Sequence, residues 1–181
     1  MDFLKLANER QSVRAYLDKP VEEEKLKRCL EAARLAPSAC NAQPWKFIVV
    51  DDVELKNKIA DETSNSLLPL NHFTKQAPVH VVLVMEKPNT TSKIGEWVRD
   101  KKFTLIDVGI AAEHFCLQAT TEGLGTCMLG WFNEKKVKKL LHIPEQKRAI
   151  LIITLGYPLS ENIRPKKRKE LEVIYTRNSY L

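Results

Sequence analysis

The sequence predicts an α+β or α/β domain built on a single layer of sheet. Three observations carry that reading. Segments of helical and strand-like apolar period alternate along the chain. The longest continuous apolar runs, Val79 to Met85 and Ala149 to Leu155, have strand length. At 181 residues the chain is long enough for one domain and short for two, so residues 1–181 are read as a single unit. A chain of this size buries roughly 70% of its unfolded surface and needs no disulfide or metal to hold its core.

The elements follow in order. Over residues 21–36, Leu26, Cys29, Leu30, Ala33 and Ala36 recur at the spacing of one helix face. Glu22, Glu23 and Glu24 load the first turn, where the dipole favours anions, and Pro37 stops the helix. Trp45 to Val50 reads as a strand, followed by a polar helical stretch from Glu54 to Glu62. Val79 to Met85 is apolar almost throughout, the pattern of a strand buried on both faces. Residues 87–102, with Pro88 and Thr90-Thr91-Ser92, read as loop. Over 104–122, Leu105, Ile106, Ile110, Ala112, Phe115, Leu117 and Ala119 leave little polar face, which predicts a central helix, capped by Gly123. Thr126 to Leu129 is a short strand, Asn133 the N-cap of a helix over 134–141, and Ala149 to Leu155 the last core strand. The tail, 157–181, is basic yet carries Tyr175, Tyr180 and Leu181, so it is expected to pack on something, a partner subunit being one candidate.

Composition bounds the function. Hydrophobic residues make up 44% and charged residues 29%, ordinary for a globular protein, and six Gly with nine Pro exclude a collagen-like chain. The net charge, 29 − 23 = +6, suits an anionic ligand or nucleic acid without demanding either. No apolar run approaches the ~18 residues needed to cross a bilayer. Met1-Asp2-Phe3-Leu4-Lys5 lacks a signal-peptide core, so a cytoplasmic location is expected. Cys29, Cys40, Cys116 and Cys127 form no C-x-x-C pair and read as reduced thiols; His72, His80, His114 and His142 lack ligand spacing, so no metal site is expected.

Four segments could carry chemistry. Arg10-Gln11-Ser12-Val13-Arg14 sets two guanidinium groups around a hydroxyl, which can clamp a phosphate, though taken alone a solvated helix face with surface ion pairs is the favoured reading. Pro37-Ser38-Ala39-Cys40-Asn41-Ala42-Gln43-Pro44 is a proline-bracketed polar loop, suited to the polar edge of a heterocycle and equally to a capped structural turn. Gly123-Leu124-Gly125-Thr126-Cys127-Met128-Leu129-Gly130 has glycines after a helix and before a strand, the reverse of a Rossmann turn, so that reading is rejected; Gly130 still allows backbone to approach a flat ligand. Arg164-Pro165-Lys166-Lys167-Arg168-Lys169 reads as a solvated patch, a nucleic-acid contact, or the far side of a phosphate site shared with Arg10 and Arg14. No aromatics interleave it for base stacking. Asp107 and Glu113 lie on the long helix with no obvious acid/base partner in the sequence.

In this order the segments resemble the FMN-dependent nitroreductase family. The resemblance rests on E-R-Q-S-V-R-A-Y at 9–16, A-P-S-A-C-N-A-Q-P-W at 36–45 and A-P-V-H-V-V-L at 77–83. It continues with D-V-G-I-A-A-E-H from Asp107, G-L-G-T-C-M-L-G-W-F at 123–132 and P-K-K-R-K-E-L-E at 165–172, and so spans essentially the whole chain.

The resemblance implies an α+β sandwich with a central, mainly antiparallel sheet flanked by helices, in an intertwined homodimer with FMN at its interface. It assigns Arg10, Ser12, Lys166 and Arg168 to the FMN phosphate and ribityl chain, Arg14 to a second basic contact, and Gln11 to the pyrimidine edge of the ring. Pro37, Ser38, Ala39 and Asn41 match the loop that the second subunit lays on the flavin, and Asn71 is a further polar candidate. Gly130, with Leu129 beside it, matches the backbone N–H facing flavin N5. A glycine there resembles a shorter branch of the family; many relatives carry an acidic residue instead. The implied activity is ping-pong reduction of nitroaromatics, quinones or similar electron-poor acceptors by NAD(P)H, with no dedicated side-chain acid. Reductive dehalogenation, heterocycle dehydrogenation and flavin destruction are same-fold alternatives, with residues 87–102 and Trp97 expected to cap the pocket and decide among them. A basic nucleic-acid-binding protein is the alternative from another class.

Overall fold

The computed structural model describes residues 2–64, 70–87 and 102–180. Along the chain these form α1 (Phe3–Glu9), α2 (Glu23–Arg34), β1 (Trp45–Val50), α3 (Val53–Asp61), β2 (Val79–Met85), α4 (Phe103–Thr121), β3 (Gly125–Leu129), α5 (Glu134–Leu140), β4 (Arg148–Gly156) and α6 (Leu171–Ile174). Short 3-10 turns occupy Ala39–Asn41 and His72–Gln76.

The four strands lie in the order β1-β2-β4-β3, and each neighbouring pair is antiparallel. The fold is therefore α+β. β2 and β4 take the middle because their near-continuous apolar runs can be buried on both sides. On one face, Val79, Val81 and Leu83 of β2 and Ile153 and Leu155 of β4 pack against Leu26, Cys29 and Ala33 of α2 and against Val108, Ala112, Phe115 and Ala119 of α4. On the other, Val82, Val84, Ile152, Cys127 and Leu129 meet Ile59 of α3 and Val137 of α5. The two-residue alternation of strand side chains sorts the same strands into both layers.

The helix and strand bounds read from the sequence hold to within a few residues, and α4 is central as expected. Its end is a Schellman turn: Gly123 sits at φ 73°, and the Leu124 N–H donates to Ala119 O at 2.8 Å. α1 was not anticipated; it is short and has no buried residue. The loop read over 87–102 and the capping role of Trp97 fall almost wholly outside the described residues. No helix among the described residues is long and apolar enough to cross a membrane. The tail runs extended to α6, and within the single chain Leu171, Val173, Ile174 and Tyr180 remain exposed, Tyr180 at 95%.

Candidate functional site

Residues 10–16 are extended, not helical. Ser12 bridges Thr126 of β3 in parallel, and the Val13 N–H donates to Thr126 O at 2.8 Å. Extended backbone turns every second side chain to one side. Val13 points into the core beside Tyr16 and Ala77, so Arg10, Ser12 and Arg14 share the opposite face. The helix-face reading of the two arginines is thereby excluded.

The tail returns to this strand. Lys166 Nζ donates to Arg10 O, and Arg164 donates a guanidinium N–H to Ser12 O. Arg10, Arg14, Arg164, Lys166, Lys167 and Arg168, with Gln11, Ser12 and Pro165, line a cavity of about 310 Å³. Burial lowers the Lys166 ammonium below its ordinary range, and repulsion from Arg10, Arg168 and Arg164 adds to it. Arg10 Nε lies 3.1 Å from Glu113 Oε1, an ion pair by distance but not by hydrogen-bond angle, so the buried Nε–H makes no hydrogen bond. A cavity lined by cations in this way can receive a phosphate-like anion.

The Cys127 thiol of β3 is buried, and burial pushes it upward in pKa against the pull of Arg14, Ser12 and Arg164. At the end of β3, Gly130 is exposed, and a Cβ built there meets nothing within 4 Å. From Thr126 to Gly130 is four residues, about 13 Å of strand.

The 37–43 loop is built by backbone strain and side-chain staples. Cys40, Asn41 and Gln43 take left-handed φ values of 51°, 52° and 46°, each unfavourable for a non-glycine residue. Ser38 Oγ accepts from the Gln43 N–H at 2.9 Å, and Gln43 Nε2 donates to Asn41 Oδ1 at 3.0 Å. The buried Asp107 carboxylate on α4 accepts the Ala39 N–H at 3.2 Å.

The structure thus brings Arg10, Ser12, Arg14, Lys166 and Arg168 together, sets Leu129 and Gly130 at the strand end nearby, and holds Pro37, Ser38, Ala39 and Asn41 on a separate loop. Gln11 has its carboxamide engaged by the tail, at Asn162 and Arg164. Asn71 donates to Thr63 O at 3.1 Å and starts the His72–Gln76 turn. Sequence reasoning missed the roles of Asp107 and Glu113, although the signal was present: each is a carboxylate on an otherwise apolar helix.

Comparison with known proteins follows the same lines. The sequence profile of the nitroreductase family matches residues 7–72 and 61–157. A protein of Archaeoglobus fulgidus, provisionally named an NADH dehydrogenase/NAD(P)H nitroreductase, is 33% identical over 165 residues, 88% of this chain and 87% of that one. A nitroreductase family protein from Clostridium novyi NT superposes with a TM-score of 0.79 at 33% identity, covering 91% of this chain and 89% of that one. An FMN-dependent nitroreductase from Clostridium difficile R20291 gives 0.78 at 28% identity, covering 98% and 100%.

Proposed function

The chain belongs to the nitroreductase family and is an oxidoreductase; on that premise we propose that it holds FMN, takes reducing equivalents from NADH or NADPH, and passes them to nitroaromatic, quinone or similar electron-poor acceptors. The observation that carries this is the Arg10–Ser12–Arg14 face closed by Lys166 and Arg168.

The residues present fit FMN. A dianionic phosphate answers the crowded cations, and the buried Arg10 Nε–H offers an unused donor. Ser12, which lines the same cavity, offers a hydroxyl for the ribityl chain. The open space at Gly130 admits a flat ring, with Leu129 beside it, at a distance a phosphorylated five-carbon chain plus ring can span.

The 37–43 loop is assigned to the flavin of a second copy of the chain. Asp107, which holds the loop, and Glu113, which faces Arg10, are six residues apart on α4. That is about 9 Å along the helix and about 120° around it. The loop is anchored on a different face from the clamp, and the exposed apolar tail supports a homodimer.

Bound FMN would supply reversible hydride acceptance and donation. Arg10, Lys166 and Arg168 would hold its phosphate, with Arg14 as a second basic contact. The Gly130 N–H would be the backbone donor that orients the ring, since the space beside it is open. The loop of a second copy would cover the ring and exclude water, and no side chain would be required to move a proton.

The test is anaerobic reduction of the purified yellow protein by NADH and by NADPH, followed by reoxidation with nitro, quinone, halogenated and flavin acceptors. Fast reoxidation by nitro or quinone compounds is expected. Protein without flavin, or reduced flavin indifferent to both acceptors, contradicts the reading.

A further inference from the structure

Gln11 Nε2 donates to Asn162 O at 3.0 Å, and Gln11 Oε1 accepts from the Arg164 backbone N–H at 3.3 Å and from Arg164 Nε at 3.1 Å. The carboxamide therefore bonds the carbonyl before Ile163 and the amide after it, as one residue of a parallel strand bonds its neighbour. A charged or apolar side chain of this length would lose one or both halves of the fork.

We propose that Gln11 is a positioning residue: it latches the tail onto the 10–14 strand, completes the anion site by presenting Lys166 and Arg168, and does not itself touch the flavin. The proposal rests on the FMN reading given above. Two rows of cations face each other here, Arg10 and Arg14 on one strand and Arg164, Lys166 and Arg168 on the extended tail. Like charges oppose docking of the tail; after burial, repulsion from Arg10, Arg168 and Arg164 is what lowers the Lys166 ammonium. An uncharged latch offsets that repulsion without competing for the anion. A bound phosphate reverses it, so tail docking and anion binding must favour one another, each by the same factor.

The test uses the full chain with Gln11→Ala, and with Gln11→Asn, whose fork is too short to reach. Binding of FMN and of riboflavin is measured by flavin fluorescence at several ionic strengths. Tail docking is measured as the rate of tryptic cleavage after Lys166, Lys167 and Arg168. In both variants FMN affinity is expected to fall about tenfold while riboflavin affinity holds within about twofold. The ionic-strength dependence of FMN binding becomes shallower as the tail cations disengage, and tryptic cleavage of the flavin-free protein becomes faster. Equal losses for FMN and riboflavin, with unchanged cleavage, would overturn the proposal and put Gln11 at the ring. Inorganic pyrophosphate separates this from failure of the FMN reading. It should slow cleavage of the wild-type tail more than that of the variants whether or not the protein binds flavin; equal protection overturns the latch.

Discussion

Gly125 lies against Val13: a Cβ added at Gly125 would stand 2.5 Å from Val13 Cγ2 and 2.8 Å from Val13 Cβ. The β-branched Val13 cannot swing clear, since it is buried beside Tyr16 and Ala77. The strand carrying Arg10, Ser12 and Arg14 therefore reaches β3 because position 125 has no side chain. Gly125→Ala is expected to cost about 1–3 kcal/mol of stability and to weaken FMN binding by displacing the clamp. Thermal unfolding and flavin titration check this; a variant with unchanged stability and affinity would show that the strand docks without the close approach.

Arg10→Ala and Arg168→Ala should each release FMN. Charge-assisted contacts to a phosphate are worth about 1.5–3 kcal/mol, roughly tenfold to a hundredfold in affinity. Flavin retained after dialysis is the measurement. Full retention in both variants would remove the phosphate from this cavity.

The helices and strands were legible because their signals are local: the apolar face of α2, the unbroken apolar run of β2, the Asn133 cap, and the stop at Pro37. The clamp was legible only as residue types. Arg10 and Arg14 four apart suit a helix face as well as a strand, and what decides for the strand is Gly125, more than 100 residues away in sequence. Asp107 and Glu113 were visible as misplaced carboxylates, yet their partners, Ala39 and Arg10, come from distant segments. Gln11 was assigned to the ring edge by resemblance alone; its partners, the Asn162 carbonyl and the Arg164 amide and guanidinium, lie 151 and 153 residues away.

Ending the chain after Pro158 should abolish both dimerisation and flavin binding. It removes Arg164, Lys166 and Arg168 from the clamp and the exposed Leu171, Val173, Ile174 and Tyr180 from the proposed interface. Sedimentation with absorbance detection at a flavin wavelength gives both answers. A yellow monomer would refute the shared site.

Burial pushes the His80 imidazole down to about 4, against the hydrogen bond to Thr74 O and aided by the Lys56 charge. Between about pH 6.5 and pH 4 the unfolded chain binds a proton at this site that the folded chain does not. Stability is therefore expected to fall as pH drops through that window, by up to roughly 3 kcal/mol, and His80 contributes no further slope below it. The Glu122 carboxyl, held down to about 2 by the Arg28 guanidinium, loses its contribution only at lower pH. Urea unfolding across the range, with His80→Gln for comparison, should show a shallower fall in the variant; parallel curves would contradict the assignment.

If the chemistry belongs to bound flavin and this chain supplies only position, no single side chain should be indispensable to hydride transfer. His72, His80, His114 and Cys40 are the candidates for a hidden acid or nucleophile. Gly130→Leu is the opposing control, since its side chain would enter space that no protein atom fills within 4 Å of the added Cβ. The decisive measurement is the stopped-flow rate of flavin reduction by NADH or NADPH in each FMN-loaded variant. The expected result is a rate within about tenfold of the parent for every His and Cys variant, and a far larger loss for Gly130→Leu. A lost general acid or base typically costs about 10²–10⁴. A hundredfold loss from any one of the four, with flavin still fully bound, would contradict it.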